Sequence, residues 1–361
     1  MIKKIVSAFT SFALLAAFAV PVSSEVNFEK DFMYSEEDGS VTIVKYKGSD
    51  TEVIIPDEID GKPVVKIGQN AFISCYTIVS AEIPESVTEI GSKAFAHCIS
   101  LKTIEIPDSV VSIGEWAFEN CNALSSVEIP QSVSVIQKGT FNSCDSLVSV
   151  TIPDNVSHIG ERAFEECSSL TEAVIPDSVS HIGERAFEEC SSLTEAVIPD
   201  SVSYIGENAF CKCESLSAVN IPQNIKRIDT GVFECCAITE AEIPDGVKSI
   251  GDFSFSWCKH LEKVIIPESV KLVDEGAFYQ SGAIKLVIFP DGLDISKTEI
   301  PETAAQIKYR KTANGVEITE IICGNGKNYM EIPKEICGIP VIPFGEDISS
   351  RAGIYEESEE I

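Results

Sequence analysis

The chain has 361 residues, a formal net charge of −30 and 44% hydrophobic residues. That charge excludes nucleic acid and anionic membrane surfaces as partners and favours cationic ones. The sequence holds no HExxH, P-loop or dinucleotide fingerprint, so no metal-dependent or nucleotide-dependent enzyme is indicated.

In chain order, Met1–Ser24 carries Lys3 and Lys4, an apolar run and then small residues, and reads as a secretory signal peptide. Without a further apolar segment, no membrane insertion is expected after cleavage, and the mature protein is expected to be secreted or loosely associated with a cell surface. Residues 25–65 read as an N-terminal cap. From residue 66 to 294 the chain repeats itself. SHIGERAFEECSSLTEAVIPDSV occurs at Ser157–Val179 and again, letter for letter, at Ser180–Val202. Ten versions of IGxxAF place phenylalanine at 72, 95, 118, 141, 164, 187, 210, 233, 255 and 278. Nine cysteines stand three residues later, and Ser281 takes the place in the tenth unit. Such a period points to stacked coils, each with an apolar side that only its neighbours can bury.

One coil, LKTIEIPDSVVSIGEWAFENC, reads as a short half-buried strand at Ile104–Ile106, ended by Pro107, with a turn at Asp108–Ser109. The three-residue interval of Phe118, Cys121 and Leu124 predicts a 3₁₀ or short helical turn. The cysteine column faces inward with the phenylalanines. An odd column with equivalent neighbours on both sides defines no pairing, so free, packed thiols are expected. Cys211 with Cys235, and Cys323 with Cys337, are pairs that secretion permits to bridge.

The pattern LxxIxIPxSVxxIGxxAFxxC resembles the BspA-like class of leucine-rich repeats over about residues 50 to 295. The resemblance implies a right-handed, β-rich solenoid of about ten 23-residue coils with a parallel sheet on its concave side. It also implies a secreted or surface-displayed protein engaged in adhesion and protein binding. Residues 295–348 echo the N-terminal cap through a shared GxPV closure at Gly61–Val64 and Gly338–Val341, and read as a C-terminal cap or the start of a second array. Residues 349–361 read as an acidic, disordered tail.

The serine column after each Ile-Pro lacks any convergent histidine and carboxylate, and is read as turn chemistry. His158 and His181 stack only because a unit was duplicated, and do not make a metal site. The acidic residues after each Ile-Pro are ordinary turn formers, with weak calcium binding along their row as the alternative against a low ligand count per site. The central outward residue of each strand is the candidate binding stripe: Glu82, Glu105, Glu128, Thr151, Val174, Val197, Asn220, Glu242, Ile265 and Ile288. Solenoids bind along such faces. Arg162 and Arg185 fall on the opposite side and are expected to be indifferent to binding. No catalytic residue, metal or cofactor is assigned. A non-enzymatic binder of extracellular or surface proteins is the leading reading, with a glycan-acting enzyme or accessory module and a passive spacer as alternatives.

Overall fold

The computed structural model describes residues 26–324 and 332–342; the leader and tail readings lie outside them. The chain winds into a β-solenoid of about 12 turns of roughly 23 residues, built on parallel sheets and without a helix among the described residues.

Each coil contributes two short strands. A three-residue strand such as Thr103–Glu105, Glu172–Val174 or Glu195–Val197 forms one ladder, here the strand face. A two-residue strand such as His158–Ile159 or His181–Ile182 forms a second ladder. Registers between neighbours are in step: Glu172, Ala173 and Val174 pair with Glu195, Ala196 and Val197. Alternation within the strand sends Ala173 and Ala196 into the core and leaves Val174 and Val197 outside.

The third side is the phenylalanine turn, and it differs from the expected 3₁₀ or helical segment. Ala71, Ile73 and Cys75 do donate to the carbonyls three residues back, at 3.2, 3.2 and 3.1 Å. Asn70, Phe72 and Ser74 instead donate across to Ser92, Ala94 and Ala96 of the next coil, at 3.1, 2.7 and 2.8 Å. Asn70 and Ser74 reach outward because both adopt the left-handed backbone conformation, with φ of 59° each. The interval of three was therefore real, but only alternate amides close a turn. A helix would have spent every amide internally and left the coils unlinked here.

All ten phenylalanines are fully buried and form a continuous stack, with ring centroids 4.8 to 5.9 Å apart. The cysteine column has a specific task beside it. Each buried thiol donates to the phenylalanine carbonyl of the preceding coil, as Cys98 to Phe72 and Cys167 to Phe141, both at 3.2 Å. Ser281 makes the same bond to Phe255 at 2.7 Å, so the tenth unit keeps the donor while changing the atom. No two of the thirteen cysteines are joined in a disulfide. Burial pushes the Cys98, Cys167 and Cys258 thiols up to about 12. They stay protonated as donors rather than nucleophiles.

The two ends are built alike. A hairpin of Phe32–Glu37 with Ser40–Tyr46 precedes a small hairpin of Glu58–Ile59 with Lys62–Ile67, joined by Val41 pairing in parallel with Val64. At the other end, Ala305–Thr312 with Gly315–Ile322 precedes Glu335–Ile336 with Ile339–Pro340, joined by Val316 to Val341. Both long hairpins shift register just before a tyrosine, Tyr34 in one and Tyr309 in the other. Asp60-Gly61 and Cys337-Gly338 share the same left-handed turn. The C-terminal segment thus repeats the strand-pairing scheme of the N-terminal one.

Candidate functional site

The strand face is built by the third residue of each strand. Its open part runs through Glu82, Glu105, Glu128, Thr151, Val174, Val197, Asn220 and Glu242, all exposed. Val174 and Val197 are 60% and 55% exposed, side by side on paired rungs. Ile54, in the first rung, is 70% exposed and pairs with Glu82, so the stripe starts one rung earlier than the repeat count placed it. The signal was the VIIP of the N-terminal segment, Val53 to Pro56, which matches the Ile-Pro strand ending of the next nine coils.

Ile265 and Ile288 depart from the expectation of solvent-facing positions, being only 7% and 0% exposed. The strand Leu286–Pro290 pairs in parallel with Ala305–Thr312, which places Ile307 beyond Ile288 as the next rung. The returning hairpin strand then lays Val316 and Ile318 over the face, and Ile336 closes a second hydrophobic cluster with Ile265, Ile288, Ile307 and Tyr309. The Tyr309 hydroxyl anchors this cover by donating to the Ile266 carbonyl at 3.0 Å.

Within the open part, just before its last position Glu242, the strand face is interrupted. Elsewhere the residue entering each strand donates to the coil before it, as Thr171 does to Val148 at 3.2 Å and Glu262 to Thr239 at 2.8 Å. The sheet containing Glu195–Val197 ends at Ala218–Val219, and the next begins at Glu240–Glu242, with no strand pairing between them. Asn220 turns back: its side-chain oxygen accepts the Ile198 amide at 2.7 Å, and its side-chain amide donates to the Ile198 carbonyl. The coil that follows is the one shortened by a residue after Cys236. A cleft of about 430 Å³ opens at this break, floored by Val219, Ile221, Ile238, Ala241 and Phe255 and rimmed by Glu240, Glu242 and Asp245, with Cys337 of the C-terminal module on its far wall. Burial pushes the Cys337 thiol up to about 11, with Asp245 and Glu242 adding to the rise.

The other candidates resolve as structural. Ser109, Ser178 and Ser201 donate to Val87, Val156 and Val179 of the preceding coil at 2.7, 2.6 and 2.8 Å. The His158 and His181 rings stack 4.7 Å apart, each against its own neighbouring serine. Among the described residues no group of three or more His, Cys, Asp or Glu side chains is placed to hold a metal. On the turn side, Arg162 and Arg185 are not idle. Their guanidinium groups lie 3.2 Å from the nearly buried Glu165 and Glu188. Burial raises both glutamates above the usual carboxylate range, and the arginines oppose the rise. The same side carries an exposed aromatic group that the repeat reading passed over, with Tyr279 edge-on to Phe253 and Trp257 at 6.2 and 6.1 Å.

With this geometry in place, the chain matches the family pattern described as BspA type leucine rich repeat region (6 copies), over residues 65–194 and 180–308. The chain belongs to that family. A search of curated proteins finds no match. Among solved structures, it is similar to a leucine rich cell surface protein from Faecalibacterium prausnitzii, at 28% identity over 73% of this chain and 94% of that one, with a TM-score of 0.37. It is also similar to a leucine rich repeat protein of T. pallidum, at 27% identity over 66% and 91%, with a TM-score of 0.34. The pneumococcal vaccine antigen PcpA is similar at 17% identity over 78% and 92%, with a TM-score of 0.45.

Proposed function

We propose that this protein is a non-enzymatic extracellular binder that takes a partner protein on the open part of the strand face, between Ile54 and Glu242. One observation carries the reading. The covered rungs read Val264-Ile265-Ile266 and Val287-Ile288-Phe289; the open rungs read Ala173-Val174-Ile175 and Ala196-Val197-Ile198. Continuous apolar runs belong to strands covered on both sides. At Ile265 and Ile288 the chain supplies the cover itself. At Val174 and Val197 the described residues supply none, and an external chain fits the vacancy. Acidic rungs at Glu82, Glu105 and Glu128 favour a partner with basic groups beside its apolar ones. The basic, apolar leader supports export, and the repeat family fits a binding scaffold.

The test starts with a partner recovered from surface-protein fractions and a calorimetric titration. Val174→Asp with Val197→Asp should weaken affinity at least tenfold, because a desolvated anchor commonly contributes over ~1 kcal/mol. Replacing Phe253 and Trp257 by Ala on the turn side should leave affinity within about twofold, being outside the contact. Loss in the aromatic variant with none in the valine variant would overturn the assignment.

A further inference from the structure

We infer that the cleft at the interrupted rung is a specificity pocket for a lysine or arginine side chain, presented by an extended segment whose apolar residue lies two positions away on Val197. This rests on the strand face being the binding face.

Four independent features converge here. The ladder also breaks after Thr103–Glu105 and after Ser149–Thr151, but there Ser125 and Thr171 still donate to the preceding coil, whereas no such bond links Ala218–Val219 and Glu240–Glu242 among the described residues. The floor is apolar through the half-buried Val219 and Ile221, which suits the methylene stem of a long basic side chain. At the rim, Glu240 is already held by Lys263 at 3.3 Å, whereas Glu242 and Asp245 have no ion-pair partner among the described residues. Lys248, Lys271 and Lys311 line a neighbouring hollow that shares Asp245 with the cleft, and the Lys226 ammonium lies beside Gly246, but none forms an ion pair with Asp245 among the described residues. Finally, the hollow over Val197, Ala218, Val219 and Asn220 runs into the cleft through shared Val219, Asn220 and Glu240. One rung of about 4.8 Å plus half a gap brings Val197 roughly 7 Å from the cleft centre, and residues i and i+2 of an extended chain are about 6.6 Å apart. An apolar residue on Val197 therefore places the residue two further on over the cleft, and its side chain spans the remaining half-gap to Glu242 and Asp245.

The probes are acetyl-TVTKT-amide and its glutamate counterpart acetyl-TVTET-amide, titrated by calorimetry into the full chain. The lysine peptide should bind saturably, and the glutamate peptide at least tenfold more weakly. Glu242→Gln with Asp245→Asn should weaken the lysine peptide at least tenfold. Glu115→Gln with Glu207→Gln removes the same charge from exposed positions on the turn side and should change it by twofold or less. No saturable binding, equal binding of the two peptides, or equal loss in both carboxylate variants would overturn the pocket. The valine variant separates the two readings. If Val174→Asp with Val197→Asp weakens the peptide while the Glu242/Asp245 variant does not, the pocket falls and the strand face stands. If only the Glu242/Asp245 variant acts, the pocket stands and the apolar anchor is misplaced. Thermal melts of each variant report any loss of fold.

Discussion

The same module closes both ends of this solenoid, yet it docks in two ways. At the N-terminus its long hairpin joins the second ladder: Ser40–Tyr46 pairs with Lys62–Ile67, which pairs on to Glu89–Ile90. The strand-face ladder begins uncovered, with Ile54 in solvent. At the C-terminus the equivalent hairpin joins the strand face through Ala305–Thr312 and turns over it, so that Ile288 is core. The outer edge of the first module is filled by Val26–Glu29, whereas the corresponding edge of the second is filled by the last rung of the array. Modules of one pairing scheme thus leave one end of the stripe open and shut the other. A stripe position is surface or core according to what its rung's edge receives, not according to its own residue.

The largest contrast is expected between equivalent isoleucines at the two ends. Ile288→Ala removes fully buried methylenes and should cost about 2–5 kcal/mol. Ile54→Ala, at a solvated position, should shift stability by under ~0.5 kcal/mol. Denaturant melts of both decide this, and equal costs would break the comparison.

The paired tyrosines should separate by less. Tyr309→Phe leaves the buried Ile266 carbonyl without that donor and should cost about 1–3 kcal/mol. Tyr34 instead donates to Asp60 at 2.9 Å, and Asp60 is exposed and able to take water. Tyr34→Phe should then cost about 0.5–1.5 kcal/mol, the net value of an ordinary hydrogen bond. A chemical denaturation series on the two variants measures the difference.

Within the array, Cys167→Ala removes a buried donor and should cost about 1–3 kcal/mol, and Cys167→Ser should recover part of it, since Ser281 already holds that position in the last coil. Serine no better than alanine would mean that the thiol column acts by size alone.

The smallest effect is in pH dependence. Glu165 and Glu188 have folded-state pKa values raised above their ordinary 4.5. Above 4.5 the unfolded chain has lost protons that the folded chain still holds, so stability from these groups is greatest below 4.5 and falls as pH rises through the raised values. Glu165→Gln with Glu188→Gln should flatten that fall in melts recorded from pH 4 to 7. For the same reason Arg162 and Arg185 are unsuitable as neutral controls: removing them leaves nearly buried carboxylates unpaired.

Much of this architecture was legible in the residues. The phenylalanine and cysteine columns, the IP-ended strands and the echo between the two ends follow from spacing, because each column is buried by its own copies. The turn geometry was not, since a three-residue interval does not reveal that every second amide leaves for the next coil. Nor was the covering of Ile265 and Ile288. Their strands resemble that of Val174, and the difference lies in a hairpin distant in sequence that docks on a backbone edge, which side-chain pattern does not encode. The interrupted rung did leave a trace, in Asn220 at a strand position followed by a coil one residue short.

The claim that the open stripe is the contact face is tested most directly by hydroxyl-radical footprinting of the protein with and without its bound partner, read by mass spectrometry. Partner binding should protect Val174 and Val197, leave Phe253 and Trp257 as reactive as before, and leave Ile265 and Ile288 unreactive in both states. Protection of Phe253 and Trp257 with undiminished reactivity at the two valines would contradict it.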